Sequence, residues 1–269
     1  MVALLLLIAL ESPSTATPKS PQEAVHRAWN ILDDGLDNKD ASKRAKAVHA
    51  LGLLRTSQRA QKSVEKALAD ENADVRVEAV AALGRLGASS ARPKLRRSLD
   101  DKEVKVVIAA TNSLYQLKDP IAFDVYYAIL VGERKSSNGL VQSQLDRLRN
   151  RTELEKLVFQ TGIGFVPFGG MGYEAWKTIT SDNTAVVRVL AVERLAQDPD
   201  PKSADALIQS RFDKSWHVRA AVASAIAERR DRSLLEPVAA MMDDGNDNVR
   251  FDAAASVVQL FYLRSSRKK

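Results

Sequence analysis

The chain has 269 residues, 40 Lys+Arg against 34 Asp+Glu for a formal charge of +6, and no cysteine. Without cysteine it has no disulfide scaffold, no Cys-ligated zinc or iron–sulfur site and no thiol nucleophile. Three histidines and 15 aromatics among 28% charged residues describe a helix-rich chain with little material for a His-rich metal centre.

Residues 2–10 (VALLLLIAL) form nine apolar residues, followed by Glu11 and a Ser/Thr/Pro-rich stretch to Pro21. A bilayer span takes about 20 apolar residues. Nine suit the core of a signal peptide, and Ser14-Thr15-Ala16 offers a small-x-small cleavage site. The expectation is a signal peptide over 1–16 and a periplasmic or secreted mature protein. A basic residue ahead of the core, usual in such peptides, is absent.

An internal repeat follows. ASKRAKAVHALGLL (41–54), ADVRVEAVAALGRL (73–86), VKVVIAATNSLYQL (104–117), TAVVRVLAVERLAQ (184–197), WHVRAAVASAIAER (216–229) and DNVRFDAAASVVQL (247–260) share one pattern. Their aliphatic anchors Leu51, Leu83, Leu114, Leu195, Ile226 and Val257 are 32, 31, 81, 31 and 31 residues apart. Within a unit, Val75, Ala79, Ala82, Leu83 and Leu86 lie on one face of a 3.6-residue period. A second amphipathic stretch follows each first helix, at 64–70, 122–131, 204–212 and 234–242. Pro93, Pro120, Pro199 and Pro201 stand at or near the starts of second helices, where a missing N–H costs little. Asp and Asn gather between units as caps. Such hairpins, stacked side by side, make an α-solenoid.

Asp74, Val75, Arg76, Ala79, Ala82, Leu83 and Gly84 give D-V-R-x-x-A-x-x-A-L-G, which resembles a HEAT repeat of the short class typified by phycobilisome lyases. Val218-Arg219 and Val249-Arg250 match the core of that motif, as does Val187-Arg188 with a hydrophobic neighbour in place of Asp. The resemblance spans about 37–133 and 182–263. It implies an all-α, right-handed α-solenoid of about six HEAT-like helical hairpins with one insert. The expected division is repeats over 17–133, an irregular insert over 134–181, and repeats with a basic tail over 182–269. Such repeats mostly serve as interaction scaffolds and occasionally as enzymes, so the resemblance implies fold more strongly than function.

The insert contains TGIGFVPFGGMGYEAW (161–176), with five glycines and four aromatics in sixteen residues. Flexible backbone beside large apolar side chains suits a loop that grips a partner, or one that plugs the broken array. Phe165, Phe168, Tyr173 and Trp176 are the candidate partner-binding residues. Phosphate-binding readings fail: Pro167 stands where a dinucleotide fingerprint needs glycine, and no Gly-Lys-Ser/Thr follows.

The most regular polar feature is the basic column Arg44, Arg76, Arg188, Arg219 and Arg250, with Val107 in place of the basic residue in the third unit. It reads as a structural ladder, each guanidinium bonding a carboxylate or carbonyl of its neighbour, with Asp74, Glu78 and Asp252 as interleaved partners. In HEAT-like DNA glycosylases a comparable column meets phosphates, so nucleic-acid binding is a second alternative. His26, His49 and His217 lie in separate units and read as surface or boundary residues, and the His-Glu pairs of HEAT-like hydroxylases are absent. Asp33-Asp34, Asp100-Asp101 and Asp243-Asp244 read as caps. An acid–base pair assembled across repeats is invisible at this level. Asn150-Arg151-Thr152 matches a glycosylation sequon by pattern alone. Residues 134–160 and the tail Arg264–Lys269 carry the excess positive charge, leaving the repeats nearly neutral.

The expected function is a non-enzymatic protein–protein interaction scaffold with no cofactor, no metal, no catalytic residue and no membrane span. Its partner is another protein, and nucleic acid is disfavoured. The first alternative is a lyase-like or chaperone-like protein holding a small ligand or chromophore in its groove.

Overall fold

The computed structural model describes residues 18, 20–131 and 183–263. Every regular element among them is helical. In chain order they are α1 (Pro21–Leu36), α2 (Ala41–Leu51), α3 (Gln58–Ala67), α4 (Ala73–Arg85), α5 (Arg92–Arg97), α6 (Val104–Gln116) and α7 (Ile121–Val131). After the insert come α8 (Asn183–Gln197), α9 (Pro201–Ser210), α10 (Trp216–Arg229), α11 (Leu235–Ala240) and α12 (Asp247–Phe261). Short 3-10 turns flank α5 and α11.

Caps set the boundaries. Ser20, Asp40, Ser57, Asn72, Asp200 and Asn246 each accept a backbone N–H of the first turn that follows. The second helix of the first unit therefore starts at Gln58, earlier than its apolar stretch at 64–70 suggests, because Ser57 caps it. Pro93 and Pro201 occupy the first turns of α5 and α9.

The helices α2, α4, α6, α8, α10 and α12 carry the repeated motif and pack side by side, with the second helices behind them. Small residues at one recurring position let them approach closely: Ala50, Ala82 and Ala225 are buried there. At the same position Ser113 and Ser256 donate to the carbonyls of Val80 and Ala223 on the preceding motif helix, at 2.9 and 2.7 Å. The anchors Leu51, Leu83, Leu114, Ile226 and Val257 are fully buried. Leu195 is only partly buried. Its helix, α8, packs against one motif helix, α10, among the described residues, so part of its apolar face lacks a neighbour.

The order of packing is not the order of the chain. The N-terminal units run α2, α4, α6 and the C-terminal units α8, α10, α12, yet the contact between halves joins the first unit to the last. Helix α12 packs against α2, and α1 lies along α12 and against α2. Helix α1 is absent from the repeat pattern, which begins near residue 37, and it seals this joint. It buries Ala24, Val25, Ala28, Trp29 and Leu32. Arg27 pairs with Asp243, and Lys46 Nζ lies 4.0 Å from Asp247. At its closest point a Cβ on Gly35 would sit 2.4 Å from the Phe251 ring and 2.7 Å from the Ala47 methyl.

Glycine at position 35 is therefore required by backbone approach at the joint. Gly35→Val is expected to push α1 off α12 and cost about 1–3 kcal/mol, as overpacking does. Urea unfolding monitored by circular dichroism checks it; a stability equal to the parent's would show that the joint is loose.

A candidate site at the joint of the two half-arrays

The arginine column is almost entirely spent within the protein. Arg44, Arg76, Arg188 and Arg219 each grip one carboxylate through Nε and Nη2: Asp70, Asp101, Asp213 and Asp244, at 2.6–3.1 Å. Each aspartate lies in the loop before the next motif helix. Its Oδ1 also accepts the backbone N–H two residues on, from Asn72, Glu103, Ser215 and Asn246. In Arg44, Arg76 and Arg219 the remaining Nη1 donates to two loop carbonyls. Arg188 Nη1 donates instead to Thr184 Oγ1. Arg250, in the last unit, turns to the Asp244 carbonyl and to Asp247 on its own helix.

The carboxylates respond as paired groups should. The Arg44 bond holds Asp70 below the ordinary carboxylate range. Burial pushes Asp101, Asp213 and Asp244 upward, and the arginine bonds outweigh it, leaving them below that range too. Where Val107 interrupts the column, α5 supplies the rung: Arg96 grips the fully buried Asp119 carboxylate at 3.0 and 3.1 Å, and Asp119 accepts the Ile121 N–H.

These partners differ from those the sequence suggests. Asp74, Glu78 and Asp252 take no part in the ladder: Asp74 pairs with Lys105, Glu78 with His49 and Arg85, and Asp252 with Ser224. They lie one turn further along the helix than the loops the arginines reach. Asp101 and Asp244 are not the N-caps the sequence suggests, since Glu103 and Asn246 stand there and the aspartates pin the loops before them. Asp33 sits inside α1 and pairs with Arg59. His217 is buried and stacked on Trp216, not a surface residue, and burial pushes its pKa down.

Glu78 and Asp252 each stand two residues past a ladder arginine; His49, Glu193 and Ser224 stand five past, and Arg85 nine past. These offsets lie on one helical stripe. On α2, α4, α8 and α10 its polar residues are part-exposed, whereas on α12 Asp252, Ala255 and Gln259 are buried. At the joint the stripe passes beneath the surface, taking Asp252 with it.

His49 Nδ1 lies 3.0 Å from Glu78 Oε2, and Arg85 Nη2 lies 3.3 Å from the same nitrogen and 3.6 Å from Glu78. One nitrogen cannot both donate to the carboxylate and accept from the guanidinium. The shorter, charge-assisted contact to the carboxylate places a proton on Nδ1. Arg85 is held separately by the His49 carbonyl at 3.2 Å. Burial pushes Glu78 upward, and the His49 and Arg85 charges more than offset it. Asp252 goes the other way. Burial raises it to about 6, against the pull of His49, the Ser224 hydrogen bond at 3.2 Å and Arg85, while Glu78 pushes it further up. Next along the stripe, burial and then the like charge of Glu228 raise Glu193. His49, oriented by Glu78, acts on the buried Asp252 through its charge. Among the described residues, no three His, Asp or Glu side chains are grouped as a metal site requires.

Phe165, Phe168, Tyr173 and Trp176 lie outside the described residues.

The HEAT-repeat family model matches residues 30–115 and 174–258, more than half of the chain. The chain belongs to the HEAT-repeat family. A search of curated proteins returns no match. Similar solved structures include human deoxyhypusine hydroxylase in complex with glycerol, 16% identical over 90% of this chain and 92% of that one, with a TM-score of 0.34. The complex of CpcE and CpcF of phycocyanin lyase from Nostoc sp. PCC7120 is 16% identical over 96% and 100%, with a TM-score of 0.33. An engineered protein is 14% identical over 87% and 96%, with a TM-score of 0.27. At these scores the likenesses carry no argument about activity.

The buried acid has a pH consequence. Raised from an ordinary 3.8 to about 6, Asp252 favours the folded state when protonated; that contribution is complete below about pH 4 and lost as pH rises through 6. Asp252→Asn, which keeps an acceptor for Ser224, should therefore match the parent's stability near pH 4. It should exceed it by up to about 3 kcal/mol at pH 8, from the roughly two-unit shift. A gap independent of pH in urea titrations would contradict the assignment.

Proposed function

We propose that this HEAT-repeat protein is a non-enzymatic scaffold that binds another protein. The observation behind the reading is an aromatic patch at the open end of the N-terminal half. Tyr115, Phe123 and Tyr127 on α6 and α7 are 63%, 69% and 47% exposed. The Phe123 and Tyr127 rings stack with centroids 6.2 Å apart. Clustered exposed aromatics are the usual anchors of protein interfaces, because they bury large area at little entropic cost. Helix α7 ends at Val131, close in sequence to the insert that carries Phe165, Phe168, Tyr173 and Trp176, the second proposed contact set.

The ladder supports the choice of partner. Guanidiniums already engaged by carboxylates and carbonyls are not available to phosphates, which argues against nucleic acid. The alternative of a small ligand in the groove is favoured by one observation, the polar cluster of His49, Glu78 and Arg85 near the buried Asp252. Export rests on the apolar segment at 2–10 and the Ala16 cleavage site. No helix among the described residues is long and apolar enough to cross a membrane.

Two variants test the surface. Phe123→Ser with Tyr127→Ser, and separately Phe168→Ala with Trp176→Ala, should leave the circular dichroism spectrum unchanged and reduce binding to the co-purifying partner at least tenfold. Unchanged binding in both would refute the assignment. Intact Met1 in the mass spectrum of protein from the native host would refute export.

A further inference from the structure

Beside the polar cluster, where α1, the loop after α2 and the end of α12 meet, the surface opens into a recess of about 830 Å³. That volume is in the range of small-molecule sites. Its walls divide by chemistry. Leu263, the Tyr262 ring and the edge of Trp29 supply apolar surface above the buried Leu54 and Val258, and Gln259 and the phenol of Tyr262 add polar groups. Two guanidiniums reach it from opposite halves of the array. Arg59, on α3, lies over the Trp29 ring at 3.9 Å and pairs with Asp33 at 2.6 Å. Arg230, just after α10, has no hydrogen-bond or ion-pair partner among the described residues.

Arg230 is also conformationally unfavourable where it stands. It ends its helix with φ +56°, in the left-handed region. The same place after α4 is taken by Gly87 at φ +66°, which pays no steric penalty for that conformation. A left-handed cap needs no arginine. The guanidinium therefore contributes nothing visible to the fold, and it borders a ligand-sized apolar cavity.

We propose that this recess binds a small organic anion with an apolar body, such as a medium-chain carboxylate. The chain or ring lies against Leu263, the Tyr262 ring and the edge of Trp29, and the anionic head meets Arg230 with help from Arg59. Asp33 competes for Arg59 and limits affinity. The site is separate from the aromatic patch at α6–α7, so it stands or falls independently of the scaffold reading.

The test is calorimetric titration of the full chain with dodecanoate below its aggregation threshold, and with dodecylammonium as a charge-reversed control. Saturable 1:1 binding of dodecanoate at least tenfold tighter than dodecylammonium is expected. Arg230→Gly should weaken dodecanoate at least tenfold while leaving the melting temperature equal or higher, which separates ligand contact from folding. Asp33→Asn should tighten it, and Leu263→Asp, which puts a like charge on the apolar wall, should weaken it at least tenfold if the variant's circular dichroism is native. Equal affinity for both probes, unchanged affinity in Arg230→Gly, or no binding would overturn the proposal. So would sedimentation with anionic phosphatidylglycerol vesicles without binding of free dodecanoate, which would mark a lipid surface as the ligand.

Discussion

A bidentate arginine–aspartate rung, repeated from unit to unit, is the interaction on which the array depends. Each guanidinium leaves one motif helix and fastens the carboxylate that pins the loop entering the next. It sets spacing and angle together, because two parallel N–H···O bonds fix orientation as well as distance. The side chains of the central rung, Arg76 and Asp101, are only 8% and 14% exposed. Water does not screen such a pair as it does a surface bridge, and loss of one member leaves the other desolvated. Where the column is interrupted, Arg96 restores the rung from a different helix, so the constraint is maintained although the residue position is not.

The ladder decides which charges remain for function. Its arginines and aspartates neutralise one another along one edge of the motif helices. The stripe two and five residues further on is left with unequal charges. At the joint, where α12 is enclosed by α1, α2 and α10, that inequality becomes a buried carboxylic acid, Asp252, within the electrostatic reach of a histidine oriented by Glu78. A solenoid is otherwise uniform along its length, with each unit touching only its neighbours. Contact between the first and last units breaks that uniformity. It places the raised Asp252 carboxyl and the recess beside α1 on the same helix, α12.

The repeat, its helical period and the identity of the column could be read from the sequence, because they rest on local periodicity and a fixed spacing. The rung partners could not. Asp74, Glu78 and Asp252 are near the arginines in sequence, but an arginine side chain reaches about 25 residues ahead to the following loop, as Arg76 does to Asp101. Alignment of the units on the ladder arginine would have placed Glu78 with Asp252 and His49 with Ser224, and so revealed the stripe. It would not have shown that the first and last units meet. That contact depends on α1, which carries no repeat signature, and on Gly35, whose missing side chain matters only beside Phe251.

The central claim is that the basic column is spent on internal rungs, and a double-mutant cycle on Arg76 and Asp101 tests it most directly. Arg76→Met, Asp101→Asn and the double variant are unfolded in urea at pH 7. The account predicts a coupling of about 2 kcal/mol, as for residues sharing one buried ion-pair network. A coupling near zero, with the two single costs simply adding, would contradict it.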